Sequence, residues 1–328
     1  MAERVSIIIP NWNGKSYLMS CLPAVFAQTH PDFEVVIIDN ASTDGSVEWL
    51  RSEFPQVRLI ANDRNLGFAL ANNLAIQATS APYIATLNND TQVEANWLRE
   101  LVTGMSLDPQ VGMVASKILY AEAPHLIDSA GIEVSRTGLA WNRYNRTQED
   151  PLEVEPYEVF GPSAAAALYR RTMLDEVGLF DESYFAYYED VDLAWRARLL
   201  GWHCLYVPTA RVYHVHSATS RQGSPFKRYF LVRNKVWTTL KNYPAPAVWF
   251  NLPIILLYDL VSDLYRIVLE RNVSPIHGQM AALSRLPAVL RQRQAIQQRR
   301  RVSWKTLRKS MIPPPNLLKS LWHRRRVG

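Results

Sequence analysis

Four short apolar runs, residues 5–9, 34–38, 57–60 and 83–87, recur at about 25-residue intervals, and amphipathic stretches at 16–27, 46–54 and 69–78 lie between them. The runs are rich in Val and Ile and are apolar nearly throughout, as strands covered on both faces must be. The intervening segments carry the helical period. Strand, helix, strand at this spacing leaves little choice but right-handed βαβ units and a parallel sheet. The expected fold class is therefore α/β, with a mostly parallel central sheet of Rossmann-like type.

Each run gives way to a polar cluster. The first ends in Pro10, Asn11, Trp12 and Asn13, and the second in Asp39, Asn40, Ala41, Ser42, Thr43 and Asp44. The third leads to Asn62, Asp63, Arg64, Asn65, Leu66 and Gly67, and the fourth to Asn88, Asn89 and Asp90. One such cluster reads equally well as a turn or a helix cap. Four at the same end of successive parallel strands mark the carboxyl edge, where open α/β sheets bind ligands. Neither GxGxxG nor GxxxxGK[ST] follows the first strand, which argues against a dinucleotide dehydrogenase and a P-loop NTPase. A phosphorylated ligand would then need a metal held by carboxylates, with Asp90 the first candidate.

Farther along, a helix is expected near 96–107, a strand at 112–119 and a loop region at 121–158, after which an apolar stretch at 164–169 precedes a short helix at 170–178. Residues 185–196 form the densest motif: Phe185, Ala186, Tyr187, Tyr188, Glu189, Asp190, Val191, Asp192, Leu193, Ala194, Trp195 and Arg196. Three acids opening a helix suit its dipole, so capping is one reading. Capping needs fewer acids, however, and the flanking aromatics suggest an enclosed site that lifts a carboxylate toward the general-base range. Strands at 204–207 and 211–215 follow. His214 and His216 are spaced to share one face, either as structural histidines or as a metal ligand.

These residues carry a resemblance. The segments Val5 to Asn13, Val36 to Ser46, Asn65 to Ala69, Leu87 to Thr91 and Tyr188 to Arg196, in that order, resemble the inverting family 2 glycosyltransferases of GT-A fold, in particular their bacterial rhamnosyltransferase-like branch. The resemblance implies a nucleotide-sugar site built from Pro10, Asn11, Asn13, Asp39, Asn40, Asp44, Asn65, Gly67, Asn88 and Asn89, with Asp39 hydrogen-bonding a pyrimidine imide. The family's DxD appears here as Asn88, Asn89 and Asp90, so Asp90 alone supplies charge to Mg²⁺ or Mn²⁺, and His214 matches a downstream metal ligand. It further implies Asp190 as the catalytic base with Glu189 beside it, and Asp192, Trp195, Arg196 and His216 as acceptor-orienting or structural residues. The reaction implied is transfer from a pyrimidine nucleotide-sugar, dTDP-L-rhamnose first and UDP-sugars after it. The acceptor would be a glycan or polyprenyl-diphosphate-linked saccharide of the cell envelope. The alternatives are a polyprenyl-phosphate glycosyltransferase and a non-catalytic membrane-bound module with a degenerate transferase fold.

Charge divides the chain. From Arg271 onward there are 14 Lys and Arg and no acid, so the first 270 residues carry a net −8 within a whole-chain +6. A catalytic domain over 1–225 and a helical, basic, amphipathic region over 226–328 are expected. The 271–328 tail suits an anionic membrane surface. With an acidic body and no recognisable nucleic-acid motif, no nucleic-acid partner is expected. The apolar stretch 247–269 could serve as an in-plane membrane segment, a helix packed on the domain or a homodimer interface. Cys21 and Cys204 form no CxxC motif, which excludes a Cys-based zinc site and a disulfide scaffold. No signal-peptide pattern opens the sequence. The expected location is the cytoplasm, peripheral on the inner face of the membrane.

Overall fold

The computed structural model describes residues 3–215, 224–245, 247–269 and 271–313. The chain divides into two compact units, Met1–Ile132 with Asn142–Ala218, and Glu133–Trp141 with Thr219–Gly328.

The first unit begins with β1 (Val5–Asn11), α1 (Lys15–Phe26), β2 (Phe33–Asp39), α2 (Ser46–Glu53), β3 (Arg58–Ala61), α3 (Gly67–Gln77) and β4 (Tyr83–Leu87). Then come β5 (Thr91–Val93), α4 (Trp97–Ser106), β6 (Val111–Tyr120) and β7 (Ala123–Ser129). A small two-stranded sheet, β8 (Ile132–Val134) with β9 (Ala140–Asn142), spans the unit boundary. The chain returns through β10 (Tyr157–Val159), β11 (Ala166–Arg170), α5 (Arg171–Val177), α6 (Glu189–Leu200) and β12 (His203–His214).

The main sheet runs β10-β12-β6-β11-β4-β1-β2-β3, with β5 on β12 and β7 on β6. Strands β1, β2, β3 and β4 are parallel, and Asn11 pairs with Asp39, which pairs with Ala61. Their carboxyl ends are thus level. From β1 the chain moves outward to β2 and β3 and then crosses to the other side of β1 for β4, which makes the β1–β4 boundary a topological switch point. Val5, Ile7, Ile8 and Ile9 are all fully buried, which explains the apolar run in β1, interrupted only by the equally buried Ser6. Leu18, Cys21, Leu22 and Val25 of α1 pack into the same core as Ile7 and Ile9.

Two expectations need correction. Residues 204–207 and 211–215 do not form separate strands: β12 runs continuously, with its register to β6 broken between Val207 and Arg211. Pro208 falls in that break, where a residue without an N–H interrupts the ladder at least cost. The 121–158 region is not only loop, since it contains β7, β8, β9 and β10. Three of these are three residues long and are too short to show a period.

The second unit is helical: α7 (Pro225–Asn242), α8 (Ala247–Leu269), α9 (Ser274–Ser284), α10 (Leu286–Arg299) and α11 (Trp304–Leu307). Trp237 of α7 donates its indole N–H to the Ala282 carbonyl of α9, and Gly278 lets α9 approach the α7 backbone closely. Tyr243 bridges the 133–141 insertion by donating to the Ser135 carbonyl and accepting from the Gly138 N–H.

Candidate active site at the carboxyl edge of the sheet

Hydrogen bonds tie the ends of β1, β2 and β4 together. Asp39 is fully buried; its carboxylate accepts from the Asn11 side chain at 2.8 Å and from the Ser42 N–H at 2.8 Å. The Asn11 amide oxygen in turn accepts from Asn89 at 2.7 Å. Gly14 is required beside this chain, because a Cβ there would stand 2.1 Å from the Asn89 amide nitrogen. Pro10 is half-buried at the end of β1, and Asn13, in the left-handed region at φ 49°, fixes Thr43 by accepting its N–H at 2.7 Å.

The neighbouring loop is held by Asn40, whose amide donates to the Gly67 carbonyl at 3.2 Å and accepts from Asn62 at 3.1 Å. Asn65 accepts the Gly67 N–H at 2.8 Å. Asp44 serves the turn into α1 and α2, accepting from the Lys15 N–H at 2.8 Å and from Ser46. Burial opposes its charge, but these hydrogen bonds prevail and hold its carboxyl below the usual range.

Strand pairing assembles a second group. Thr91 of β5 lies opposite His214 of β12, and the Val215 N–H bonds the Asp90 carbonyl at 2.9 Å, which brings Asp90 to the histidine. His214 Nε2 stands 3.3 Å from Asp90 Oδ1, and its Nδ1 stands 2.7 Å from Asp128 Oδ2. Burial disfavours the imidazolium, but the two carboxylates outweigh it and push His214 up to about 9. Asp128, on β7, has no signal in its local sequence. It is reached through the pairing of β7 on β6 and of β6 on β12.

Asp90 and His214 fit a divalent cation. Adjacent ligands of an octahedral Mg²⁺ at about 2.0–2.1 Å are roughly 3 Å apart, close to the observed spacing. Asp128 occupies the place of the carboxylate that commonly orients a metal-bound histidine. Among the described residues no three His, Cys, Asp or Glu side chains converge as a complete cage. Phosphate oxygens and water would therefore have to complete the shell, as is usual for Mg²⁺. His216 lies outside the described residues.

The acidic motif opens α6 from a strained approach: Phe185, Tyr187 and Tyr188 all lie at φ between 64° and 71°. Non-glycine residues in that region persist only where their surroundings enforce them, and they gather at functional sites. The half-buried Asp190 accepts the Ala164 N–H at 3.3 Å and its neighbour Val191's N–H at 2.8 Å. The next residue, Ala165, accepts the Asn88 N–H at 2.8 Å through its carbonyl. Two consecutive backbone groups thus hold the Asp190 carboxylate beside the segment leading to Asp90.

Glu189 is buried, and its Oε2 has no hydrogen-bond partner among the described residues, a condition shared by the Tyr169 and Thr86 hydroxyls. Burial pushes both acids above the usual carboxylate range. The Asp190 charge pushes Glu189 further, whereas N–H groups pull Asp190 back. Two N–H donors favour the charged form of Asp190, whereas Glu189 Oε2 has no such partner among the described residues.

Asp192, Trp195 and Arg196 are not acceptor-orienting. Asp192 is fully buried, accepts from Arg196 at 2.8 Å and accepts the Tyr184 hydroxyl at 3.3 Å. Arg196 also donates to the carbonyls of Val177, Gly178 and Leu179. Trp195 is buried edge-on against Phe160 at 5.1 Å. A helix with its first acids at the site necessarily turns its next ones into the core.

Comparison with known proteins identifies the family and the fold. Residues 6–178 match the model for glycosyl transferase family 2. The chain is 30% identical over 240 residues to the O-antigen biosynthesis protein RfbC of Myxococcus xanthus, covering 70% of this chain but spanning only 18% of that longer protein. It is 29% identical over 248 residues to an N-acetylglucosaminyl-diphospho-decaprenol L-rhamnosyltransferase of Mycobacterium tuberculosis, covering 69% of this chain and 80% of that one. Among solved structures, GalNAc-T7, crystallised with UDP, GalNAc and Mn²⁺, superposes with a TM-score of 0.68 at 19% identity, over 94% of this chain and 56% of that one. This last likeness is one of fold, which is GT-A.

Proposed function

The chain belongs to glycosyl transferase family 2, and from that premise we propose that it is an inverting glycosyltransferase of cell-envelope polysaccharide synthesis. Its donor is a pyrimidine nucleotide-sugar, dTDP-L-rhamnose foremost and a UDP-sugar next. Its acceptor is a hydroxyl of a glycan or lipid-linked saccharide at the inner face of the membrane, to which the basic 271–328 tail holds the protein. The catalytic unit is residues 1–225. The name of the mycobacterial relative supports rhamnose and a polyprenyl-diphosphate acceptor, and that of the Myxococcus protein supports an envelope polysaccharide.

The observation that supports this reading is the Ala164–Ala165 clasp, which holds the Asp190 carboxylate beside the segment that leads to Asp90. In the reaction the acceptor oxygen attacks the anomeric carbon as Asp190 takes its proton. The bond from that carbon to the diphosphate breaks, and its electron pair leaves with the nucleoside diphosphate. Attack opposite the leaving group inverts the centre. Asp39, Asn11 and Asn89 bind and orient the nucleotide end, and the Asn65–Gly67 loop closes over it. Asp90 and His214 would hold a divalent cation, which when bound neutralises charge on the departing diphosphate.

Calorimetric titration with dTDP, UDP, ADP and GDP, with and without Mn²⁺, tests this proposal. Metal-dependent binding of dTDP or UDP, and not of the purine nucleotides, is expected. No pyrimidine-nucleotide binding under any metal condition would favour the degenerate, non-catalytic reading.

A further inference from the structure

Helix α8 of the second unit carries apolar residues on both of its faces. A helix on the surface of a water-soluble unit turns its apolar stripe inward and its polar residues outward. Along α8 the inner face buries Val248, Ile255 and Tyr258 together with polar groups, and the outer face is apolar as well. Asp259 is ion-paired with Lys235 of α7, Asp263 accepts from Gln279 of α9, and Ser262 is buried. Outward point Trp249, Phe250, Leu257, Leu260, Leu264 and Val268, at 50–82% exposure. On α9, Ile276, Met280 and Leu283 follow the same rule at one-turn spacing and are also exposed. Single exposed apolar residues mean nothing, but a stripe of this length marks a surface made for an apolar environment.

We propose that the outer face of α8 and α9 lies in the plane of an anionic lipid bilayer, with these side chains inserted at the boundary between headgroups and acyl chains. Charge identifies the occupant. The stripe is followed by 14 Lys and Arg with no acid, and Arg285, Arg291, Arg299, Arg301 and Lys305 are exposed among the described residues. A second copy of the chain would bring the same cations against them, whereas an anionic leaflet satisfies the apolar stripe and the cations together. Residues Ala247–Leu264 are long and apolar enough to cross a bilayer by length and composition. An upright α8 would carry the Lys235–Asp259 pair and the Asp263–Gln279 contact into hydrocarbon, so the in-plane orientation follows. This inference goes beyond tail-mediated attraction and does not depend on which sugar the first unit transfers.

The test uses the full chain with single introduced cysteines, Leu257→Cys and Met280→Cys on the proposed face and Leu152→Cys, at a position 85% exposed in the first unit, as control. The native thiols do not compete, since Cys21 and Cys204 are buried. Each variant carries an environment-sensitive fluorophore and is mixed with phosphatidylcholine vesicles with or without phosphatidylglycerol. The expected result is a blue shift and quenching by brominated acyl chains at positions 257 and 280, only with the anionic vesicles, and no change at 152. Leu257→Glu with Leu260→Glu should lower vesicle co-sedimentation at least tenfold while nucleotide binding is retained. Unshifted labels on protein that still sediments, or no sedimentation at all, would overturn the proposal. So would a solution dimer that the glutamates dissociate, which would assign the face to a second copy. Nucleotide titration of the same preparations separates failure of this inference from failure of the transferase reading.

Discussion

The Phe68 N–H donates a 2.6 Å hydrogen bond to the Phe185 carbonyl. That bond caps the first turn of α3, in the loop assigned to the nucleotide, with the strained segment that leads to Asp190. Ala69 donates to the same oxygen at 3.3 Å, and Gly67 approaches so closely that a Cβ there would stand 2.6 Å from it. The loop proposed to hold the donor and the loop that leads to the proposed base are therefore one mechanical piece.

Gly67→Ala should disturb both functions at once. Gly67 sits at φ 77°, and the added carbon meets backbone as well as the Phe185 ring. A cost of about 1–3 kcal/mol in stability is expected from strain and overpacking. Nucleotide affinity and turnover should fall together, as titration and single-turnover kinetics on the same variant would reveal. An effect on affinity alone would mean that the two loops are uncoupled.

Asp128→Asn should weaken Mn²⁺ binding roughly 10–100-fold, the usual effect of removing a carboxylate behind a metal-bound histidine. Nucleotide binding measured without metal should be unchanged, because among the described residues Asp128 reaches the site through His214. Equal metal affinity in the two proteins would remove His214 from the ligand set.

The acid pair predicts two pH effects. Asp190 must be ionised to accept a proton, and burial raises it, so the acid limb of kcat/KM should lie above the ordinary Asp value of about 3.9. Glu189 is raised further, so between the ordinary Glu value near 4.3 and its own folded value the native state binds more protons than the unfolded chain. Its contribution to stability is full below that window and declines as pH rises through it. Glu189→Gln should flatten this decline in thermal-unfolding profiles against pH. An unchanged slope would show that Glu189 ionises freely.

Asp192→Ala should act on folding rather than on chemistry. It leaves the largely buried Arg196 without its carboxylate, a change that costs roughly 3–5 kcal/mol for buried pairs. Urea unfolding would register the loss, and the folded fraction should retain its affinity for nucleotide.

The legible part of this molecule was the part set by near-sequence pattern. Strands β1, β2 and β4 are largely buried, so their apolar runs stand out, whereas β3 at the sheet edge is half-exposed; level parallel pairing puts Asn11 and Asp39 on one edge. Asp128 was invisible because it meets His214 across 86 residues through two strand pairings, and β7 has no period to announce it. The Ala164 and Ala165 contacts are made by backbone, which leaves no trace in residue type. Asp192, Trp195 and Arg196 adjoin Asp190 in sequence, which leaves acceptor-orienting and structural roles both open until the helical turn is seen to carry them into the core. In α8 the apolar content was plain, but which face it occupied depended on where Lys235 and Gln279 stood.

The central claim rests most directly on Asp190→Asn, a near-isosteric change that keeps the Ala164 contact but removes the proton acceptor. Transfer turnover measured beside calorimetric donor binding should fall about 10²–10⁴-fold with the dissociation constant unchanged. A fall of less than tenfold, with donor binding intact, would contradict the assignment of Asp190 as the base.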